Sequence, residues 1–141
     1  MTFNRKRWVI HVLFILYMLV LLRFTIFRES WSLDKFMRNG TLNLSLFTGY
    51  LPFVRSRNWW RIIYLFGGNI VCFIPFGVYL HYRGFHLLPA TICGFLLSFF
   101  IESMQYVWGV GVSELDDLIL NTLGVFIGAV SAGIFAKKRK K

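Results

Sequence analysis

Long apolar stretches separated by short polar connections make up most of this chain. Four of these stretches reach or approach the ~20 residues that an α-helix needs to cross a bilayer. They cover residues 8–27, 59–80, 86–107 and 115–135. The pattern therefore predicts an all-α, polytopic membrane protein with four transmembrane helices, folded as a single domain over residues 1–141. No small-residue cleavage site follows the first stretch, so we expect it to be retained as a helix rather than removed as a signal peptide.

The first connection contains a second, shorter helical pattern. In residues 32–39 apolar and charged side chains interleave, which is typical of a short helix lying on the membrane surface. Ser30 or Ser32 suits its start, and Gly40 suits its end. Residues 42–53 are rich in turn formers, so we expect an irregular loop there, packed on the outer mouth of the helix bundle. The side chain of Asn43 is expected to fix the backbone of this loop through a hydrogen bond.

Composition and charge agree with a membrane location. The chain is 57% hydrophobic and carries a formal net charge of +10. Its basic residues cluster at 5–7 and 137–141, on either side of the apolar stretches. Basic residues mark the cytoplasmic side of membrane spans, so we predict a multi-pass protein with both termini in the cytoplasm. The connection over 28–58, which this topology places outside, has five basic residues against two acidic ones, but the terminal clusters outweigh it.

The positions of these charges also exclude one class of function. No stacking motif accompanies the basic runs, so we expect no nucleic-acid partner. Basic residues beside membrane spans instead attract anionic lipid headgroups, by about 1 kcal/mol each. Membrane lipids are therefore the expected partners.

Residues 98–128 hold four of the six acidic residues of the chain among apolar neighbours. A carboxylate in a transmembrane helix costs about 2.5–3.5 kcal/mol on insertion scales, so it usually faces the bundle interior or a water-filled cavity. Glu102 and Gln105 share one helix face, and Asp117 and Asn121 share a face of the next helix. The short turn between the two helices makes them antiparallel neighbours. We therefore predict a polar binding pocket near the outer leaflet, built from residues of three helices: Asn69, Ser98, Glu102, Gln105, Asp117 and Asn121.

Two further pairs have predicted structural roles at helix ends and breaks. Ser113 and Asp116 have the spacing of a capping box at the start of the last helix. Pro75 and Gly77 are predicted to break or kink the second helix, because proline leaves a backbone carbonyl without its helical partner.

Gly124 and Gly128 form a G-x-x-x-G spacing in the last helix. This spacing lets another helix approach closely, because no side chain stands between the two backbones. The approaching helix belongs either to the same chain or to a second copy, and we favour the internal contact.

With these residues assembled, the chain resembles the VanZ-like family of bacterial membrane proteins. The matching pieces are LNLSLF at 42–47, GNIVCFIPFG at 68–77, the Glu102-x-x-Gln105 pair, and GVSELDDLILNTLGVFIG at 111–128. Leu46 departs from the pattern, since the family tends to have proline at this place.

The resemblance implies a multi-pass protein of the bacterial cell envelope and an association with low-level resistance to teicoplanin, a lipoglycopeptide with an acyl tail. It places Pro75 and Gly77 on the family's helix-breaking positions. It places five residues on the family's polar positions: Asn69, Glu102, Gln105, Asp117 and Asn121.

Two classes of function fit these residues. In the first, the polar pocket binds a lipid, an acyl-tailed lipoglycopeptide or a lipid-linked cell-wall precursor, and so contributes to antibiotic resistance. In the second, Glu102 and Asp117 form an acid/base pair of a membrane enzyme that modifies a lipid-linked envelope substrate. A third interpretation makes the two acids a buried structural pair.

The binding function is the one we favour on the sequence. There is no nucleophile beside a base, no H-E-x-x-H motif and no histidine cluster, so no catalytic residue is assigned. Carboxylate and amide oxygens would also suit a divalent cation. Such a cation remains an alternative within the enzyme function, and we assign neither a metal site nor a cofactor on the sequence.

Overall fold

Four long helices carry most of the fold. The structure, a computed structural model, describes residues 2–27 and 40–138. In chain order its helices are α1 (Thr2–Thr25), the short α2 (Leu51–Arg55), α3 (Trp59–Tyr82), α4 (Leu87–Trp108) and α5 (Leu115–Lys138). All except α2 are long and apolar enough to cross a membrane, which confirms the predicted all-α fold with four transmembrane helices. The surface helix predicted over 32–39 lies outside the described residues.

Local sequence signals set the ends of the helices that surround the predicted pocket. α3 begins after Asn58, whose side chain accepts a hydrogen bond from the backbone amide of Arg61 at 3.2 Å and so caps the helix. α4 ends where Gly109 adopts a φ of 59°, a conformation that glycine reaches without steric cost. The chain then turns back within a few residues, and α4 and α5 pack side by side as expected.

A small parallel sheet was not predicted from the sequence. Strand β1 (Thr41–Asn43) pairs with strand β2 (Val112–Glu114), with Thr41 opposite Val112. Three residues per strand are too few to produce a recognisable alternation of apolar and polar positions. The pairing replaces the first part of the expected irregular loop and ties that loop to the connection between α4 and α5.

The start of α5 corrects the capping-box prediction. Ser113 belongs to β2, and α5 begins at Leu115, so Ser113 does not stand at the predicted cap position. The buried carboxylate of Asp116 instead accepts the backbone amide of Phe47, at 2.9 Å from each of its oxygens. The reason is tertiary: the outer loop folds over the start of α5, and its backbone amide needs an acceptor there.

α5 packs against α3 through glycines. A Cβ atom added to Gly124 would lie 2.3 Å from the carbonyl oxygen of Ile70, and one added to Gly128 would lie 2.2 Å from that of Ile74. The two backbones therefore approach as closely as only glycine allows. The approaching helix belongs to the same chain rather than to a second copy, as we favoured on the sequence.

α3 does not end at its proline. Pro75 lies inside a continuous helix that runs on to Tyr82. The hydroxyl of Tyr17, from α1, donates a hydrogen bond to the carbonyl of Cys72 at 2.7 Å, in the turn that precedes the proline. Gly77 acts in packing rather than as a break, because an added Cβ would lie 2.0 Å from the carbonyl oxygen of Val125.

Candidate functional site

A cavity of about 820 Å³ lies between the four long helices and the outer loop. Its size falls within the range of small-molecule and cofactor sites. Five of the six residues predicted to form a polar pocket line it: Asn69, Glu102, Gln105, Asp117 and Asn121. Ser98 does not line the cavity, although it contacts one of the residues that do.

Asn69 and Asp117 join α3 to α5 across the cavity wall. The side-chain amide of Asn69 donates a hydrogen bond to Oδ1 of Asp117. The amide thereby offsets part of the cost of holding a carboxylate in an apolar segment. The same two helices also pack through the contact of Gly124 with Ile70, so the polar pair and the close backbone contact belong to one helix interface.

Glu102 holds the connection between α4 and α5 in place. Its Oε2 accepts the backbone amide of Glu114 at 2.9 Å, and the hydroxyl of Ser113 donates a further hydrogen bond to its carboxylate. The side chain is buried, and its hydrogen bonds to two consecutive residues of β2 hold that strand over the end of the cavity.

Glu114 is a cavity residue that the sequence reasoning missed. Its carboxylate lines the cavity, and its Oε1 accepts a hydrogen bond from the side-chain amide of Asn43 at 3.1 Å. Oδ1 of Asn43 accepts the backbone amide of Ser45, as predicted for the loop. Glu114 lies between Ser113 and Asp116 in the sequence, and this local pattern alone does not distinguish it as a cavity residue.

Asn121 carries an unsatisfied acceptor. Its side-chain amide donates to Oγ of Ser98 at 3.0 Å, whereas its Oδ1 is buried and has no hydrogen-bond partner among the described residues. Asn121 is only 4% exposed and lines the cavity. A buried carbonyl without a donor costs about 1–3 kcal/mol, so a donor group in the cavity would be bound favourably here.

Gln105 and Tyr17 connect α1 to the rest of the site. The side-chain amide of Gln105 donates to the carbonyl of Thr25, in the last turn of α1, at 3.2 Å. Tyr17 makes its contact with α3 two turns earlier. Both contacts are to backbone carbonyls, which no side-chain pattern in the sequence could have revealed.

Tyr50, outside the membrane-spanning helices, closes the cavity beside the acids. Burial raises the pKa of its hydroxyl to about 12, and the negative charges of Asp117, Asp116 and Glu114 act in the same direction. The hydroxyl therefore stays protonated at physiological pH and keeps its hydrogen-bond donor.

Apolar side chains form much of the remaining cavity lining, which we call the apolar wall. It is formed mainly by side chains of α1 and α3: Val20, Leu21, Phe24, Leu65 and Phe73. Among the described residues that line the cavity, three are carboxylates and none is basic. The site therefore combines an acceptor-rich wall with an apolar one, which suits an amphipathic ligand with donor groups on its head.

Comparison with known proteins agrees with the resemblance seen in the sequence. A family model described as VanZ/LLP1 matches residues 14–136. Protein VanZ of Enterococcus faecium is 27% identical over 124 residues, which is 86% of this chain and 72% of that protein. No solved structure matches the chain. The family match covers residues of all four long helices and includes every residue that lines the cavity. The chain therefore belongs to the VanZ/LLP1 family of multi-pass membrane proteins.

Proposed function

We propose that this membrane protein binds a lipid or an acyl-tailed ligand, such as the tail of a lipoglycopeptide, in its cavity and thereby contributes to resistance to lipoglycopeptides such as teicoplanin. One observation carries the proposal. A single cavity of about 820 Å³ is lined both by carboxylates and amides and by apolar side chains.

The polar wall determines which heads the cavity accepts. Glu102, Glu114 and Asp117 offer carboxylate oxygens, and Asn121 offers a carbonyl oxygen without a donor. Such a set favours heads that carry amines, amides or hydroxyls over heads that carry only acceptors. The apolar wall covers the first part of an alkyl chain, so a ligand with both features gains contacts that a purely polar one lacks.

Binding of the tail would lower the amount of antibiotic that reaches its wall-precursor target. The test compares isogenic bacteria with and without the protein, exposed to an acyl-tailed lipoglycopeptide and to a glycopeptide without the tail. We expect the minimal inhibitory concentration to rise only for the tailed compound. Equal protection against both compounds would contradict a site that recognises the tail.

The orientation that this function requires places the cavity at the outer leaflet. The basic clusters at 5–7 and 137–141 support cytoplasmic termini, which leave the connection between α4 and α5 outside. Reporter fusions at the two ends check this orientation: a reporter active only in the cytoplasm should work at both termini. Activity of a periplasmic or extracellular reporter at the C-terminus would reverse the topology and remove this part of the proposal.

A further inference from the structure

α1 is attached to the bundle at two separate points along its outer half. Tyr17 donates to the carbonyl of Cys72 in α3 at 2.7 Å, and the carbonyl of Thr25 accepts the side chain of Gln105 from α4 at 3.2 Å. These two points are about 12 Å apart along α1, at 1.5 Å per residue. We call the interface between residues 17–25 of α1 and 64–75 of α3 the α1–α3 seam.

The register of the seam places a glycine at its middle. His11 lies beside the hydroxyl of Tyr79 at 3.1 Å, and Tyr17 lies beside Cys72, so the two helices run antiparallel. In antiparallel helices, a step forward along α1 matches an equal step backward along α3. Leu21, four residues after Tyr17, therefore lies at the level of Gly68, four residues before Cys72. A Cβ atom added to Gly68 would meet nothing within 4 Å, so the seam has open space there.

The cavity is open to the lipid through this seam. Val20 and Phe24 on α1 and Tyr64 on α3 all line the cavity, yet they are 54%, 71% and 72% exposed. On the transmembrane part of a bundle, such exposed apolar surface faces acyl chains of the bilayer. A path therefore leads from the hydrocarbon region, past Gly68, to the carboxylates of the polar wall.

We propose that the α1–α3 seam is a lateral portal, in which the single alkyl chain of a bound amphiphile lies at Gly68 while its amine-bearing head contacts the carboxylate wall. An alkyl chain can lie at Gly68 because nothing stands within 4 Å of the position that a Cβ atom of this residue would take. An amine is the complementary head because the described cavity lining has three carboxylates and no basic residue. This inference rests on the proposed function, since it specifies how the same cavity takes its ligand.

Photolabelling of the full chain in phosphatidylcholine nanodiscs tests the portal. The probe is dodecylamine with a diazirine on its terminal carbon, and the labelled residues are mapped by mass spectrometry. We expect saturable labelling at the seam, for example at Val20 and Tyr64, which an excess of dodecylamine abolishes and an equal excess of dodecanoic acid leaves in place. Labelling of Ile134, an exposed residue of α5 away from the cavity, should be non-saturable.

Two adjacent glycines of α3 provide matched variants. A Cβ atom on Gly67 also meets nothing within 4 Å, but Gly67 does not line the cavity. We expect Gly68→Phe to abolish the saturable labelling and Gly67→Phe to leave it unchanged. Gly68→Ala, which adds only a methyl group, should retain it, and Gly68→Leu replaces the larger variant if that one fails to accumulate in the membrane.

Three results would overturn the portal proposal. They are saturable labelling that persists in Gly68→Phe, an equal loss of labelling in Gly67→Phe, and competition by dodecanoic acid that is as strong as competition by dodecylamine. The failure of the proposed function has a different signature. If the unmodified protein gives no protection against an acyl-tailed lipoglycopeptide, the resistance proposal fails whatever the labelling shows. If it protects, and Gly68→Phe protects equally, the portal fails while the resistance proposal stands.

Discussion

The side-chain amide of Asn69 in α3 donates a hydrogen bond to the carboxylate of Asp117 in α5. These two helices also pack through glycine backbones, with Gly124 of α5 against Ile70 of α3. The polar pair and the close backbone contact are therefore neighbours on one interface. Because a carboxylate is costly within an apolar helix, its pairing with an amide contributes to the association of the two helices.

Asn69→Leu should destabilise the protein by about 1–3 kcal/mol, because it removes a donor from a carboxylate in an apolar segment. The double variant with Asp117→Leu should recover part of that loss, since it removes the costly carboxylate together with the amide that pairs with it. Reversible unfolding in detergent micelles, measured for both single variants and the double variant, gives the coupling. Strictly additive losses would show that the hydrogen bond does not join the two helices energetically.

Glu102→Gln separates binding from acid/base catalysis. Glutamine keeps one side-chain oxygen that can accept the backbone amide of Glu114, so the α4–α5 connection should stay in place. We expect protection against an acyl-tailed lipoglycopeptide to fall by no more than about tenfold, whereas loss of a general acid or base costs about 10²–10⁴-fold. Minimal inhibitory concentrations at matched protein levels give the answer. A complete loss of protection in a correctly accumulated variant would favour the enzyme.

Gly77→Ala should be strongly destabilising, whereas Gly67→Ala should not. The new Cβ atom at position 77 would lie 2.0 Å from the carbonyl oxygen of Val125, while the one at position 67 would meet nothing within 4 Å. Forcing apart a packed helix pair costs about 1–3 kcal/mol or more. Thermal unfolding of the two variants in the same detergent provides the comparison, and equal stabilities would contradict the close packing of α3 on α5.

Much of the architecture could be predicted because the signals are local. Each long helix coincides with an apolar run, and the observed bounds differ from the predicted ones mainly at the start of α1, which begins at Thr2. The β1–β2 pairing could not be predicted. It joins short segments that are far apart in the sequence, and nothing in Thr41–Asn43 or Val112–Glu114 alone indicates the partner.

The candidate site likewise contains residues that local sequence signals reveal and contacts that only the tertiary fold reveals. Glu102 and Asp117 stand out because charged groups interrupt apolar runs, and both line the cavity. Asp116 stands out equally, but its local spacing suggested a helix cap. Its real partner is a backbone amide from a distant loop, which only the tertiary fold supplies.

Asp116→Leu should loosen the outer loop without unfolding the bundle. The carboxylate accepts the amide of Phe47 at 2.9 Å, and Phe47 has a positive φ of 55° that this contact helps to maintain. We expect hydrogen exchange at residues 41–50 to become at least about fivefold faster, because loss of a buried hydrogen bond costs about 1–3 kcal/mol. Asp116→Asn is the control, since it keeps one acceptor oxygen. Unchanged exchange in Asp116→Leu would mean that β1 alone holds the loop.

Asn121→Leu should separate stability from function. Asn121 has a buried Oδ1 without a donor, so replacing it by an apolar side chain of similar size removes an unsatisfied group. The substitution also removes the hydrogen bond to Ser98, which Ser98→Ala in the same chain compensates. We therefore expect the double variant to be as stable as the parent or about 1 kcal/mol more stable.

The same double variant should lose binding of an amphiphile whose head donates a hydrogen bond to Oδ1. Saturable photolabelling by the dodecylamine probe and protection against an acyl-tailed lipoglycopeptide should both fall, although the protein accumulates normally. A variant that gains stability but loses function is expected when the replaced residue serves ligand binding rather than the fold. If stability and labelling instead fall together, Asn121 is part of the structural core rather than a residue kept for its ligand.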